Sequence, residues 1–186
     1  MHTIDENLLP YVSGLEPRSF DSIDLVVIHC TELPDLATAR DYGQRIHYPE
    51  TGTGNSGHYY IERNGRIEQW VPLQRTAHHV KGFNERSIGI ELVNKGRYPD
   101  WFDSRRQVMT DPYLMAQIDS LVRLLQKLSA ELPKLEWIAG HESLDTSQIQ
   151  AIDNPELFVC RKMDPGPLFP WGQLLSSINL ERLTTD

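Results

Sequence analysis

Apolar positions along this chain follow two different periods, and the changes of period mark its elements. Residues 23–29, IDLVVIH, form a near-continuous apolar run that closes on His29. Such a run predicts a strand buried on both faces. Asp35 is placed to cap a helix from about Leu36 to Ile46, which stops before Pro49. The stretch 51–57, TGTGNSG, predicts a loop. Residues 58–70, HYYIERNGRIEQW, then place Asn64-Gly65 between two strand-like runs, the signature of a two-residue hairpin. Ser87 to Val93, SIGIELV, predicts another strand. The period changes at Thr110-Asp111-Pro112, a cap followed by a proline suited to a first helical turn. From there Leu114, Ile118, Leu121, Leu125, Leu128 and Leu132 recur three and four apart, a stripe that must face a core, and Pro133 ends it. Glu136 to Gly140 predicts a short strand that delivers His141, and Pro170-Trp171 opens a last helix to about Leu183. Residues 143–159 are polar and weakly patterned, which predicts an irregular excursion. The expected fold class is α/β, a mixed central β-sheet flanked by helices.

Composition narrows the setting. A chain of 186 residues is expected to form one domain over 1–186, with its core at about 20–178, and is long enough to bury that core without staples. The net charge of −8 argues against a nucleic-acid partner and against an anionic surface. Cys30 and Cys160 are too few for a disulfide framework and read as a reduced pair. The first residues show neither the basic nor the apolar region of a secretory signal, and no run approaches the roughly 18 apolar residues of a membrane span. The expected location is cytoplasmic.

The candidate chemistry sits where apolar strands end. His29 closes one strand, His141 follows another, and Asp164 lies in the restrained segment Asp164-Pro165-Gly166-Pro167. Two neutral imidazoles and a carboxylate make a three-ligand set for Zn2+ that leaves a fourth position open, the arrangement of catalytic zinc. Each residue alone has an ordinary reading: a hydrogen-bonded core histidine, or a turn aspartate. Glu91 interrupts an apolar strand, where a carboxylate is costly without a partner or a task. It reads as a general base or as a strand-end glutamate exposed to water. Lys162 points to the same side as Asp164 and reads as an oxyanion stabiliser or as a solvated surface lysine. His79 is a candidate substrate contact, His58 reads as structural, and His78 is unassigned. Cys30 neighbours His29, but adjacent strand residues face opposite sides, so the two cannot form a catalytic pair.

The segments VVIHCT, SGHYYIERNGRIEQWVP, RTAHH, FNERSIGIELVN, AGHE and RKMDPGPLFPW occur in this order from about residue 23 to 173. Together they resemble the zinc-dependent N-acetylmuramoyl-L-alanine amidases of the AmpD type, which share a fold with phage amidases and peptidoglycan recognition proteins. The resemblance implies His29, His141 and Asp164 as zinc ligands and Glu91 and Lys162 as catalytic residues; Asn84 joins His79 as a candidate substrate contact. It implies peptidoglycan fragments as the partner and hydrolysis of the bond between N-acetylmuramic acid, or its 1,6-anhydro form, and L-alanine. A lytic amidase acting outside the cytoplasm on intact wall, and a binding module that does not cut, are the alternatives. Some relatives carry a cysteine ligand where this chain has Asp164. Ala77-His78-His79-Val80-Lys81 stands where the family often reads A-W-H-A-G, so one tryptophan of the substrate groove is lost. Residues 52–56 lack an arginine that some members place there for the peptide, and the interval from His141 to Asp164 is longer than in compact members.

Overall fold

The strand at the centre of the sheet is the one whose sequence is least polar. In the computed structural model, which describes residues 4–183, β2 (Leu25–Cys30) is buried at every position. It lies between β5 (Ser87–Leu92) and β6 (Trp137–Gly140), parallel to both. β3 (Tyr59–Ile61) and β4 (Ile67–Gln69) continue the sheet beyond β5 as an antiparallel pair. Two edge strands, β1 (Ile4–Glu6) beside β4 and β9 (Glu181–Arg182) beside β6, complete the order β1-β4-β3-β5-β2-β6-β9. Both edges fall outside the expected core of 20–178. The outermost residues of the 1–186 span, 1–3 and 184–186, lie outside the described residues.

The two faces of the sheet separate by residue parity. Val26 and Ile28 of β2, with Ile88 and Ile90 of β5, pack on Ile118, Leu121, Leu124, Leu125 and Leu128 of helix α2 (Met115–Glu131). This is the expected stripe, and its burial drives the packing of helix on sheet. Leu25 and Val27 face the other way, against Ala139 and Val80. His29 shares the parity of Val27, so it emerges on the face opposite α2.

Several elements differ from expectation for local reasons. α1 runs Leu36–Gly43, shorter than expected, with Asp35 accepting from the Thr38 N–H at 2.7 Å as its cap. The hairpin turn uses three residues, not two: Glu62 N–H donates to Arg66 at 2.9 Å, and Gly65 takes φ 86°, a conformation that favours glycine. α2 starts at Met115 and not at Thr110–Pro112. The Asp111 carboxylate is taken instead by Arg63 and by the Lys95 N–H, each at 3.0 Å, so it cannot cap the helix. Residues 143–159 are not irregular throughout. His141–Leu144 forms the short helix α3, and β7 (Gln148–Gln150) pairs with β8 (Phe158–Cys160) as an antiparallel ribbon. The last helix, α4 (Trp171–Leu175), stops short of Leu183, and the chain then turns into β9.

Candidate metal centre

Three parallel strands deliver their C-terminal residues to one point. His29 is in register with Glu91, and Ile28 is in register with Gly140, which places His141 one step beyond the last ladder pair. The crevice outside the carboxyl ends of parallel strands is where open α/β sheets bind ligands. Asp164 arrives from the segment after β8. It is held there by its own carbonyl, which accepts from the Glu142 N–H at 3.0 Å, and by the Pro165 carbonyl, which accepts from the Tyr113 hydroxyl at 2.7 Å.

The three candidate ligands converge. Asp164 Oδ2 lies 2.9 Å from His29 Nδ1 and 3.1 Å from His141 Nδ1. All three residues are buried, and their candidate ligand atoms lie within 4.8 Å of one another. Donors at about 2.0–2.1 Å from a tetrahedral zinc are separated by about 3.3 Å, close to this spacing. Asp164 Oδ1 is buried without a hydrogen-bond partner, an acceptor that a cation at this point would satisfy. Burial is the largest influence on His29 and lowers its pKa to about 4, against the opposing pull of Asp164. The imidazole is therefore neutral and free to ligate. Burial works to raise the Asp164 carboxyl, but the His141 and His29 rings that face it and Lys162 together hold it well below the usual range.

The outer partners of His29 fix its tautomer. Its Nε2 lies 3.0 Å from His79 Nδ1, His79 Nε2 lies 3.2 Å from Ser87 Oγ, and Ser87 Oγ donates to the Phe83 carbonyl at 2.7 Å. One assignment satisfies the whole chain: each Nε2 carries the proton, His29 donates to His79, and His79 donates to Ser87. His29 Nδ1 is then unprotonated and faces Asp164. A metal-bound histidine generally donates its other ring nitrogen in this way. The His79 ring lies flat on Gly89, where a side-chain Cβ would stand 2.6 Å from the ring Cγ. Both nitrogens of His79 have partners inside the protein, and the residue also lines the cleft. Asn84 Oδ1 accepts from the His79 and Val80 N–H groups at 3.0 and 2.8 Å, so its oxygen shapes the same loop. His58 is buried, and its Nδ1 accepts from the Gly89 N–H at 3.1 Å, as a structural histidine does.

Glu91 and Lys162 both line the cleft formed around this point. Glu91 Oε1 is 3.9 Å from His29 Nδ1. Burial first, then the charge of Asp164, pushes its carboxyl up to about 8 against the pull of Lys162. The cleft encloses about 1330 Å³ and carries Lys81, Arg161 and Lys162 on its walls, cations in an otherwise acidic chain. Cys30 is buried on the opposite parity beside Tyr113, and burial pushes its thiol well up; Cys160 is exposed. No helix among the described residues is long and apolar enough to cross a membrane. Two residues that sequence reasoning missed, Glu32 and Arg97, form a buried ion pair at 2.8 Å on the cleft wall.

A largely parallel sheet that opens a cleft over two histidines and an aspartate defines a protein with a metal-competent centre. A family model described as N-acetylmuramoyl-L-alanine amidase matches residues 19–167, and the chain belongs to that family. N-acetylmuramoyl-L-alanine amidase AmiD of Escherichia coli strain K12 is 32% identical over 170 residues, which cover 84% of this chain and 53% of that protein. The 1,6-anhydro-N-acetylmuramyl-L-alanine amidase AmpD of Haemophilus influenzae is 34% identical over 203 aligned positions, covering 94% of this chain and 96% of that one. The chain therefore spans about half the length of AmiD and nearly all of this AmpD. The structure of E. coli AmiD with anhydro-N-acetylmuramic acid-L-Ala-D-γ-Glu-L-Lys matches with a TM-score of 0.64 at 26% identity, over 86% of this chain and 58% of that one.

Proposed function

We propose that this chain is a zinc amidase that cleaves the amide between N-acetylmuramic acid, or its 1,6-anhydro form, and L-alanine in soluble peptidoglycan fragments. The observation that carries the reading is the meeting of His29, His141 and Asp164 with Glu91 and Lys162 in one cleft, within a chain of this family. His29 Nδ1, His141 Nδ1 and an Asp164 oxygen would hold the ion. Zinc bound there would supply a Lewis acid that acidifies water to a pKa of about 7 and polarises a carbonyl.

The chain's own groups supply the rest. Glu91 reaches the convergence point with a buried carboxyl 3.9 Å from His29 Nδ1. That place suits a group that takes a proton from the attacking water and returns it to the leaving amine. Lys162 brings a fixed positive charge to the oxyanion formed when the carbonyl is attacked, a contribution typically worth about 10²–10³ in kcat. Lys81 gives the cleft wall a charge that complements a carboxylate of a stem peptide, whereas Arg161 is paired with Asp145. The cleft exceeds the roughly 300–1,000 Å³ of a drug-sized pocket, as a sugar joined to a peptide requires. Free Cys30 and Cys160 fit a reducing compartment, and we assign the protein to cytoplasmic recycling of wall fragments.

The test combines metal analysis with product masses. The purified chain should hold about one zinc and release intact stem peptide from anhydro-muropeptides. Intact sacculi should be cut far more slowly. Full activity after thorough chelation would refute the metal role, and equal rates on sacculi would assign the enzyme to wall lysis.

A further inference from the structure

The guanidinium of Arg97 is 1% exposed, and it occupies all five of its N–H groups. Nε and Nη2 donate to the two carboxylate oxygens of Glu32, each at 2.8 Å. Nη1 donates to Gln107 Oε1 at 3.1 Å and to the Cys160 carbonyl at 2.8 Å. The second Nη2 proton goes to the Arg161 carbonyl at 3.3 Å. The fork thus joins two segments that are remote in sequence. Glu32 follows the strand that ends in His29 and Cys30, and it is the one non-glycine among the described residues with a positive φ, 48°. Cys160 and Arg161 immediately precede Lys162, Met163 and Asp164.

We propose that Arg97 is a positioning residue for the reaction: through its fork to Glu32 it fixes the backbone carrying Lys162 and Asp164 at a set distance from the strand carrying His29. The proposal rests on the reading of Asp164 as a metal ligand and Lys162 as a catalytic group. A buried guanidinium must find partners for all five donors whatever its role, so what bears on the site is where the other three go. Two further donors go to successive carbonyls of the site segment, and these fix both its height above the sheet and its rotation about the chain axis. Those two quantities decide whether Asp164 Oδ2 stays near both imidazoles. Lysine cannot substitute, because an ammonium offers three donors from one point and cannot span a carboxylate, an amide and two carbonyls.

Arg97→Lys is the direct test. A Glu32→Met, Arg97→Met double variant is measured alongside, since it removes the pair together and leaves no lone buried charge to unfold the protein. Zinc affinity, read by competition with a calibrated chelator, should fall about 10-fold or more in both, and kcat should fall by a similar factor with KM changed far less. In a Lys162→Ala background the same changes should cost kcat much less, because the group they position is gone, while the loss of zinc affinity persists. Folded variants that keep zinc affinity and kcat within about twofold of the unaltered chain would overturn the proposal, as would full additivity with Lys162→Ala. If the unaltered chain takes up no zinc, the functional reading fails; if it does and the variants match it, only the positioning role fails.

Discussion

Gly89→Ala should destabilise this protein at a position where the same change would ordinarily help. Gly89 lies within a strand and does not have a positive φ, so alanine meets no backbone strain there. Such a replacement normally stabilises by about 0.4–1 kcal/mol through the unfolded chain. Here the added methyl would stand 2.6, 2.8 and 2.9 Å from Cγ, Nδ1 and Cδ2 of His79. The ring cannot retreat freely, because His29 holds it at 3.0 Å and Ser87 at 3.2 Å. Overpacking of this kind costs about 1–3 kcal/mol, and each ring hydrogen bond lost adds about 1 kcal/mol. The clash outweighs the entropic gain and leaves a net loss of about 2–4 kcal/mol. For a chain of this size that lowers Tm by roughly 5–15 °C. Urea denaturation of the metal-free protein measures the loss directly, and a His79→Ala background provides the control. With the ring removed, Gly89→Ala should cost less than about 0.5 kcal/mol. Equal losses in both backgrounds, or a stabilised single variant, would refute the account of His79 as a ring seated on Gly89.

Further outcomes follow from the site. Lys162→Ala and Glu91→Ala should keep fold and zinc but lose about 10²-fold or more in kcat; a near-normal turnover in either removes that residue from the chemistry. Cys30→Ala with Cys160→Ala should keep zinc and most activity, with about 1 kcal/mol lost from the buried site, and a folded, zinc-loaded but inactive variant would point to a thiol mechanism. Metal-free protein should be acid-labile. Burial above all lowers His29, His58 and His79, so the unfolded chain gains protons below about pH 6.5 that the folded chain refuses until nearer pH 4 in the case of His29. Their stability is present above about 6.5 and declines by up to about 1.4 kcal/mol per pH unit per histidine as pH falls. Glu91 and Glu142 act in the opposite sense: their contributions are full below about 4.5 and decline as pH rises from there to about 8 and about 7. In a Glu91→Gln, Glu142→Gln background the urea midpoint should therefore fall from pH 7 to pH 5, and equal midpoints there would contradict the histidine account.

The sequence was most readable where one physical requirement dominates. A strand buried on both faces must be apolar throughout, so β2 and its closing His29 stood out, and the α2 stripe had to face a core. The edge strands β1 and β9 span three and two residues and are largely exposed, so they carry no burial pattern to read. The start of α2 was misplaced because Asp111, a sound cap by type, is claimed by Arg63 from 48 positions away. The sequence presents His79 as a cleft residue, which it is, but does not show that its ring also rests on Gly89. Glu32 and Arg97 are 65 positions apart and of a type that ordinarily faces water, so nothing local announces their burial. In each case the missing information is a long-range partner, which no window of sequence contains.

The strand order has a kinetic consequence. His29 and Asp164 are 135 positions apart, and β2 meets its partners β5 and β6 only through parallel pairings that close long loops. Topologies built on such pairings fold slowly, because the chain loses loop entropy before the contacts repay it. The ligand pair His29 and His141 meets only once β2 and β6 have paired. Zinc therefore does not find its full ligand set in the denatured chain or in its first collapsed forms, and it does not act as a nucleus. Refolding rates should be the same with and without the ion, whereas unfolding should slow as zinc is added, since the ion binds only what the transition state has yet to finish. The metal would then act on how long the native state lasts rather than on how quickly it is reached.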